Sequence, residues 1–238
     1  MVVGCIVQAR MGSTRLPGKV LMNVDEKNPI LYHVITQLQN CKFIDKIIVA
    51  TTELKEDNRI EEFVTSMNID CFRGSSNNVL DRYYRCAQKF SLSTIVRITA
   101  DNPLIDPTIV DDVINIFTSN SFDYVSNAHI SRSFPYGTET EVFSFNALEK
   151  AWKNAKTDYD KEHVTPYFYT NPDKFNIFDV INKKNISHLR WTVDKADDLK
   201  LVQIILSKIK KRPVLMIDVI DLFSKEPNLI KINTNAKN

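Results

Sequence analysis

An excess of charge of either sign is missing from this chain: 31 Lys and Arg stand against 29 Asp and Glu, a formal net charge of +2. Gathering nucleic-acid phosphates by field alone takes a strong basic surplus, so no nucleic-acid partner is expected. Long apolar runs are also missing. The N-terminal MVVGCIVQAR has no basic stretch ahead of its apolar residues, and Gln8 and Arg10 break it after strand length. Neither a secretory signal nor a membrane span is read from it, no membrane partner is expected, and the cytoplasm is the expected compartment. The four cysteines, Cys5, Cys41, Cys71 and Cys86, lack CxxC spacing and lie in or beside apolar segments such as GCIVQA and IDCF. They read as reduced, buried thiols. No internal repeat or low-complexity segment is found.

What is present suffices for a substantial core: 238 residues, 43% of them hydrophobic, a size that α/β folds reach as one domain, here 1–238. VVGCIVQA is a short β-branched run of the kind a fully buried parallel strand requires. LYHVITQLQNC then sets Leu31, Val34, Ile35 and Leu38 on one helical face. KIIVATT, IDCFRG and STIVRIT read as further strands, alternating with helices over ELKEDNRIEEFVTSM and NVLDRYYRCAQKF. Four such alternations predict a Rossmann-like α/β fold, a mostly parallel sheet with helices on both faces. Beyond it, PTIVDDVINIFTSN reads as a helix and FDYVSNA as a strand. An irregular segment over about 129–182 reads as an insertion or flap, with a helix around NALEKAWKNAK and the aromatic cluster HVTPYFYT. NIFDVINKKN and LRWTVD read as strands, ADDLKLVQIILSKI and VLMIDVIDLFSKEP as helices, and the polar tail NTNAKN as frayed.

In open parallel sheets ligands gather outside the carboxyl ends of the strands, where helix N-termini converge. Three such loops stand out. RMGSTRLPGK places Arg10, Arg15 and Lys19 among Gly12, Ser13 and Gly18 directly after the first strand. Freed backbone N–H groups with three cations suit a triphosphate, although the order is not that of a Walker A loop. A solvated basic loop is the competing reading. In TADNPLID, Asp101 follows a strand and suits Mg²⁺, against the plainer reading of a turn residue before proline. In WTVDKADD, Asp194 ends an apolar strand as the second candidate metal carboxylate, whereas Asp197 and Asp198 read as helix N-terminal acids. Two carboxylates from distant strands make a metal site, and one does not.

Taken in order, IVQARMGSTRLPGKVL, PILYHVITQL, KIIVATT, FRGSSNNVLDRYY, VRITADNPLIDP, YGTETEVFS, KEHVTPY and LRWTVDKADDL resemble the CMP-sugar-acid cytidylyltransferases, the family of CMP-ketodeoxyoctonate and CMP-neuraminate synthetases. The resemblance is nearest to the spore-coat polysaccharide cytidylyltransferase-like branch. It implies a nucleotide-diphospho-sugar transferase type of fold with a dimerisation and acceptor insertion, a homodimer, Mg²⁺ as cofactor, and transfer of CMP from CTP to an acidic acceptor. By motif position Arg10 and Lys19 would hold the triphosphate, assisted by Ser13, Thr14 and Arg15. The base would be read around Ala9 and by Arg73, Gly74 and Ser75, with Thr99 standing where relatives often have Gln. Asp101 and Asp194 would hold Mg²⁺, and catalysis would rest on Arg10, Lys19 and Asp101 through positioning and charge neutralisation.

On the acceptor side stand Glu139, Glu141, His163 and Arg190. Arg190 and His163 are expected to meet the acceptor's carboxylate or phosphate and Glu139 its hydroxyls. Plainer roles compete: His163 as a helix cap or core histidine, Arg190 as a partner of Asp179, Glu141 as a solvated neighbour of Glu139. Asp81 and Arg82 read as ordering the base-binding loop, and Trp191 with Tyr167, Phe168 and Tyr169 as packing residues. Two other functions fit the same loops, a nucleotide-sugar-dependent glycosyltransferase and a non-catalytic nucleotide-binding protein. TADNP lacks the second Asp of a DxD pair that the former would favour.

Overall fold

The computed structural model describes residues 2–128 and 131–236, so His129, where the irregular segment was expected to begin, and the last two residues of the tail lie outside them. Seven strands form one sheet: β1 (Val3–Gln8), β2 (Lys46–Thr52), β3 (Asp70–Gly74), β4 (Thr94–Thr99), β5 (Tyr124–Ser126), β6 (Glu141–Ser144) and β7 (Ile177–Asp179), in the spatial order β3-β2-β1-β4-β6-β5-β7. β1 to β4 run parallel, while β6 is antiparallel to both β4 and β5. The mostly parallel sheet is therefore as the alternation predicts.

Nine α-helices accompany it among the described residues: α1 (Ile30–Leu38), α2 (Asn58–Ser66), α3 (Val79–Lys89), α4 (Pro107–Thr118), α5 (Phe145–Asn154), α6 (Asp158–His163), α7 (Pro166–Tyr169), α8 (Ala196–Lys208) and α9 (Met216–Lys225). The strand periodicity of two divides their packing. Cys5 and Val7 of β1 join a core with α1, α2, α4, α8 and α9, whereas Ile6 points the other way into a core with α3, α5 and Phe168 of α7. Both faces are covered, which is why β1 and β2 at the middle of the parallel part are almost continuously apolar. Each fully buried side chain such as Ile6 contributes roughly 1.5–3 kcal/mol relative to exposure. No described helix is long and apolar enough to cross a membrane.

Three expectations need correction. The irregular segment is no flap, because its GTETEVF run supplies β6, which lies inside the sheet between β4 and β5. LRWTVD is not a strand: among the described residues it pairs through a single bridge, Tyr136 to Arg190, although Trp191 and Val193 are fully buried. The tail begins ordered, with buried Asn233 donating from Nδ2 to the Arg190 carbonyl at 3.2 Å and to Asp198 Oδ1 at 2.9 Å.

The strand order also positions the site. From β1 the chain winds outward through β2 to β3 and then returns across β1 to β4, so the loops leaving β1 and β4 diverge and open a crevice at their carboxyl ends.

Candidate nucleotide and acceptor site

The loop after β1 is held from both ends. The Ala9 N–H donates to the Ala50 carbonyl at 3.2 Å, and the Met11 N–H donates to Asp57 Oδ1 at 2.7 Å. Asp57 is fully buried, just before α2, and its other oxygen accepts the Thr52 hydroxyl. Gly18, at φ 70, takes a left-handed turn open to glycine, and its N–H returns to the Met11 carbonyl at 2.9 Å. Among the described residues no protein acceptor meets the N–H groups of Gly12, Thr14 and Arg15, so they are open to water or to an anion.

That turn aims Lys19 inward. Its side chain is nearly buried, and Nζ donates to the Val193 carbonyl at 2.7 Å, Asp101 Oδ2 at 2.9 Å and Asp194 Oδ1 at 3.0 Å. Arg15 Nη2 meets Asp194 Oδ1 at 2.8 Å from a half-exposed position, and Arg190 donates to the other Asp194 oxygen. Burial alone would raise the Asp194 carboxyl, but Lys19, Arg190 and Arg15 together hold it below the usual carboxylate range. A cleft of about 210 Å³ runs over this cluster, and Gln8, Arg10, Ser13, Thr14 and Thr99 line it too.

The structure thus brings Arg10, Ser13, Thr14, Arg15, Lys19, Thr99, Asp101 and Asp194 to one crevice, while Ala9 is buried in the core between Gln8 and Arg10 and Gly12 lies in the loop without lining the cleft. Arg73, Gly74 and Ser75 lie together at the end of β3, outside the residues lining that cleft. The Arg73 guanidinium braces the 52–61 segment, donating to the Thr52 carbonyl at 2.9 Å, the Leu54 carbonyl at 2.9 Å, Asn58 Oδ1 at 2.6 Å and Glu61 Oε2 at 2.8 Å. Ser75 Oγ accepts the Asn78 N–H at 3.0 Å and so shapes the entry to α3. Thr99 turns its hydroxyl on Asp101 Oδ1 at 2.6 Å, a different use from a base contact.

A second cleft, about 440 Å³, opens beside the first and shares Thr99, Asp101 and Asp194 with it. Glu139, Glu141 and Arg190 line it. His163 does not: it ends α6 exposed, its ring 4.5 Å from that of Tyr159, and Thr165 and Tyr169 reach the cleft instead. Arg190 pairs with Asp194 and with fully buried Asp198, not with Asp179. Asp198 is more than a helix-end charge, because its Oδ2 accepts the Asp194 N–H at 3.0 Å and the Lys195 N–H at 2.9 Å. Glu141 forms a buried pair with Arg97 and accepts the Tyr124 hydroxyl at 2.6 Å.

Glu139 accepts from Arg132 Nη1 at 2.6 Å and from the Gly137 N–H at 2.8 Å. Gly137 sits at φ 107, where an added Cβ would come within 2.7 Å of Trp191 Cδ1, so only glycine lets this turn close on Trp191. Sequence reasoning missed Arg97, Asn102 and Arg132 in the second cleft and Asp57 beneath the first. Arg97 had a signal, a charge in the middle of the apolar run STIVRIT. Arg132 had none, since no periodicity orients an irregular loop.

A basic loop folded against two carboxylates at the switch point of a parallel sheet defines the molecule as an α/β nucleotidyltransferase. Within that class the chain belongs to the cytidylyltransferase family, whose model matches residues 4–223. It is 42% identical over 234 residues to an uncharacterized protein of Methanocaldococcus jannaschii, covering 98% of this chain and 94% of that one. It is 30% identical over 233 residues to the spore coat polysaccharide biosynthesis protein SpsF of Bacillus subtilis, covering 94% of each. Among solved structures, a cytidylyltransferase from Leptospira borgpetersenii superposes with a TM-score of 0.92 at 33% identity over 97% of both chains.

Proposed function

We propose that the protein transfers CMP from CTP to an acidic small-molecule acceptor, a sugar acid or a related phospho- or phosphono-acid, and releases pyrophosphate. The observation that carries this reading is that Asp101 and Asp194, which share the Lys19 ammonium, line both clefts, so that a nucleotide in one and an acceptor in the other share one charged centre. The basic loop would take the β- and γ-phosphates, and the α-phosphorus would then lie toward the second cleft. Attack by an acceptor oxygen needs no covalent nucleophile, only alignment and neutralised charge.

Mg²⁺ fits as part of the proposal. Asp101 and Asp194 already share one cation, the Lys19 ammonium, at 2.9 and 3.0 Å. Mg²⁺ is held by one or two carboxylates, with water and substrate phosphate oxygens completing its shell. Bound there, Mg²⁺ would neutralise phosphate charge. For the acceptor's acid group Arg132 is better placed than His163, since it lines the cleft with Glu139 as its ion-pair partner, and Glu139 would take hydroxyls. The likeness to SpsF supports a place in surface polysaccharide or glycoconjugate synthesis, and the cytoplasm is proposed as the compartment. A homodimer belongs to the same proposal, supported by exposed Phe178 and Ile181 at the β7 edge, and light scattering tests it.

The deciding experiment incubates the protein with CTP, Mg²⁺ and a panel of sugar acids and phosphorylated or phosphono-acids, and follows pyrophosphate. Release with at least one acid is expected. Silence across the panel, with CTP bound, would point to a non-catalytic nucleotide-binding protein.

A further inference from the structure

The two clefts are joined by a line of side-chain hydrogen bonds that the proposed chemistry does not itself require. Glu139 Oε2, in the acceptor cleft, accepts from Asn102 Nδ2 at 3.3 Å, and the same amide donates to Thr99 Oγ1 at 3.1 Å. The Thr99 hydroxyl in turn donates to Asp101 Oδ1 at 2.6 Å, and the second Asp101 oxygen accepts from Lys19 Nζ. The direction of each bond is fixed by chemistry. Asp101 as a carboxylate only accepts, so the Thr99 hydroxyl must donate to it and is left to accept from Asn102. Turning the Asn102 amide over would set its oxygen against the Glu139 carboxylate, which also only accepts. Asn102 is 2% exposed, so water does not compete strongly for these bonds.

From this arrangement we infer that Thr99 and Asn102 are positioning residues that fix the rotation of the Asp101 carboxylate, so that one oxygen is reserved for the nucleotide and cation side while the acceptor cleft is tied to the same group. The inference rests on the reading of the first cleft as a Mg²⁺–CTP site. Without the Thr99 hydroxyl, Asp101 keeps only the Lys19 ammonium on Oδ2, and its terminal torsion, which is broad for carboxylates, is held at one oxygen instead of two. The backbone stays in place, since the Asp101 carbonyl is held separately by the Val193 N–H at 2.8 Å.

The test uses the full chain and measures CTP affinity by isothermal titration at a series of Mg²⁺ concentrations, for the wild type and for Thr99→Val, Thr99→Ser and Asn102→Ala. Thr99→Val keeps the shape and removes the hydroxyl. It is expected to weaken CTP binding about tenfold in saturating Mg²⁺, as loss of a hydrogen bond to a charged group does, and to weaken Mg²⁺-free binding by a clearly smaller factor, so that the gain in affinity from Mg²⁺ shrinks. Thr99→Ser is expected to restore the Mg²⁺-dependent part, and Asn102→Ala to lose some of it. Melting curves of all four proteins identify any variant that is merely misfolded, which a structural role for Thr99 would produce without touching the Mg²⁺ dependence. Wild-type Mg²⁺ dependence in Thr99→Val overturns the inference for Thr99, and in Asn102→Ala removes Asn102 from the line. A wild type that binds no CTP at any Mg²⁺ concentration overturns the underlying site reading instead.

Discussion

At the residue scale, Asp101 and Glu141 are two carboxylates with opposite consequences. Asp101, a quarter exposed, lines both clefts, and Asp101→Asn keeps its shape while removing its charge. Turnover, read as pyrophosphate release, is expected to fall by roughly 10²–10³, the range for loss of one electrostatic contact in a transition state, with the melting temperature little changed. Undiminished release would take Asp101 out of the chemistry. Glu141 is a stability residue. Burial alone would raise its carboxyl, but Arg97, with the Tyr124 hydroxyl, holds it below the ordinary glutamate value. A depressed folded pKa means that the stabilisation is fully present above the unfolded value of about 4.3 and is lost as pH falls through the lower folded one. Glu141→Gln leaves buried Arg97 unpaired and should cost about 3 kcal/mol or more at pH 7. In urea unfolding the gap between the two proteins should narrow as the pH drops below about 4. A gap independent of pH would mean that the pair does not carry the difference.

At the scale of elements, α8 is the piece that holds the second carboxylate. Asp198 in its first turn is fully buried and accepts four N–H groups, those of Asp194, Lys195, Arg190 and Asn233. It therefore joins the helix start, the preceding loop and the C-terminal segment. Asp198→Ala leaves these donors and the Arg190 charge without their acceptor, and a loss of roughly 3–5 kcal/mol in denaturant unfolding is expected. A loss below about 1 kcal/mol would reduce Asp198 to the helix-end charge that its sequence position suggests. The same region shows why some elements were legible and others not. β1 and β4 read correctly because each is a short apolar run between loops and is buried on both faces. LRWTVD has the same apolar look, yet Trp191 and Val193 are buried by the core beneath them while almost no ladder forms beside them. Apolar content reports burial, not pairing. GTETEVF erred the other way: its polar Glu141 hid a central strand, because the cost of burying that charge is met by Arg97 from the neighbouring strand, a contact that no local pattern encodes.

At the scale of the whole molecule, the crevice is assembled from segments far apart in the chain: the loop of 10–19, the turn at 99–102 and the stretch of 190–198. Lys19 and Asp101 were legible because they follow β1 and β4, where the switch-point rule looks for ligands, whereas Asp194 meets them from a stretch that looked like a strand and is not one. His163 was not, since its place depends on how α6 ends. A site made of three distant segments exists only in the folded chain, so a ligand that fills it must stabilise the fold by mass action. CTP with Mg²⁺ at about 100 times the dissociation constant should add about 2.7 kcal/mol, which for a chain of this length raises the melting temperature by roughly 5–10 °C. CTP without Mg²⁺ should give a smaller rise, from the basic loop alone. In Asp101→Asn the increment due to Mg²⁺ should disappear while the smaller one survives, because Arg10, Arg15 and Lys19 are all retained. If both increments survive in that variant, the cation is bound elsewhere and the convergence of Asp101 and Asp194 on Lys19 is a structural ion cluster.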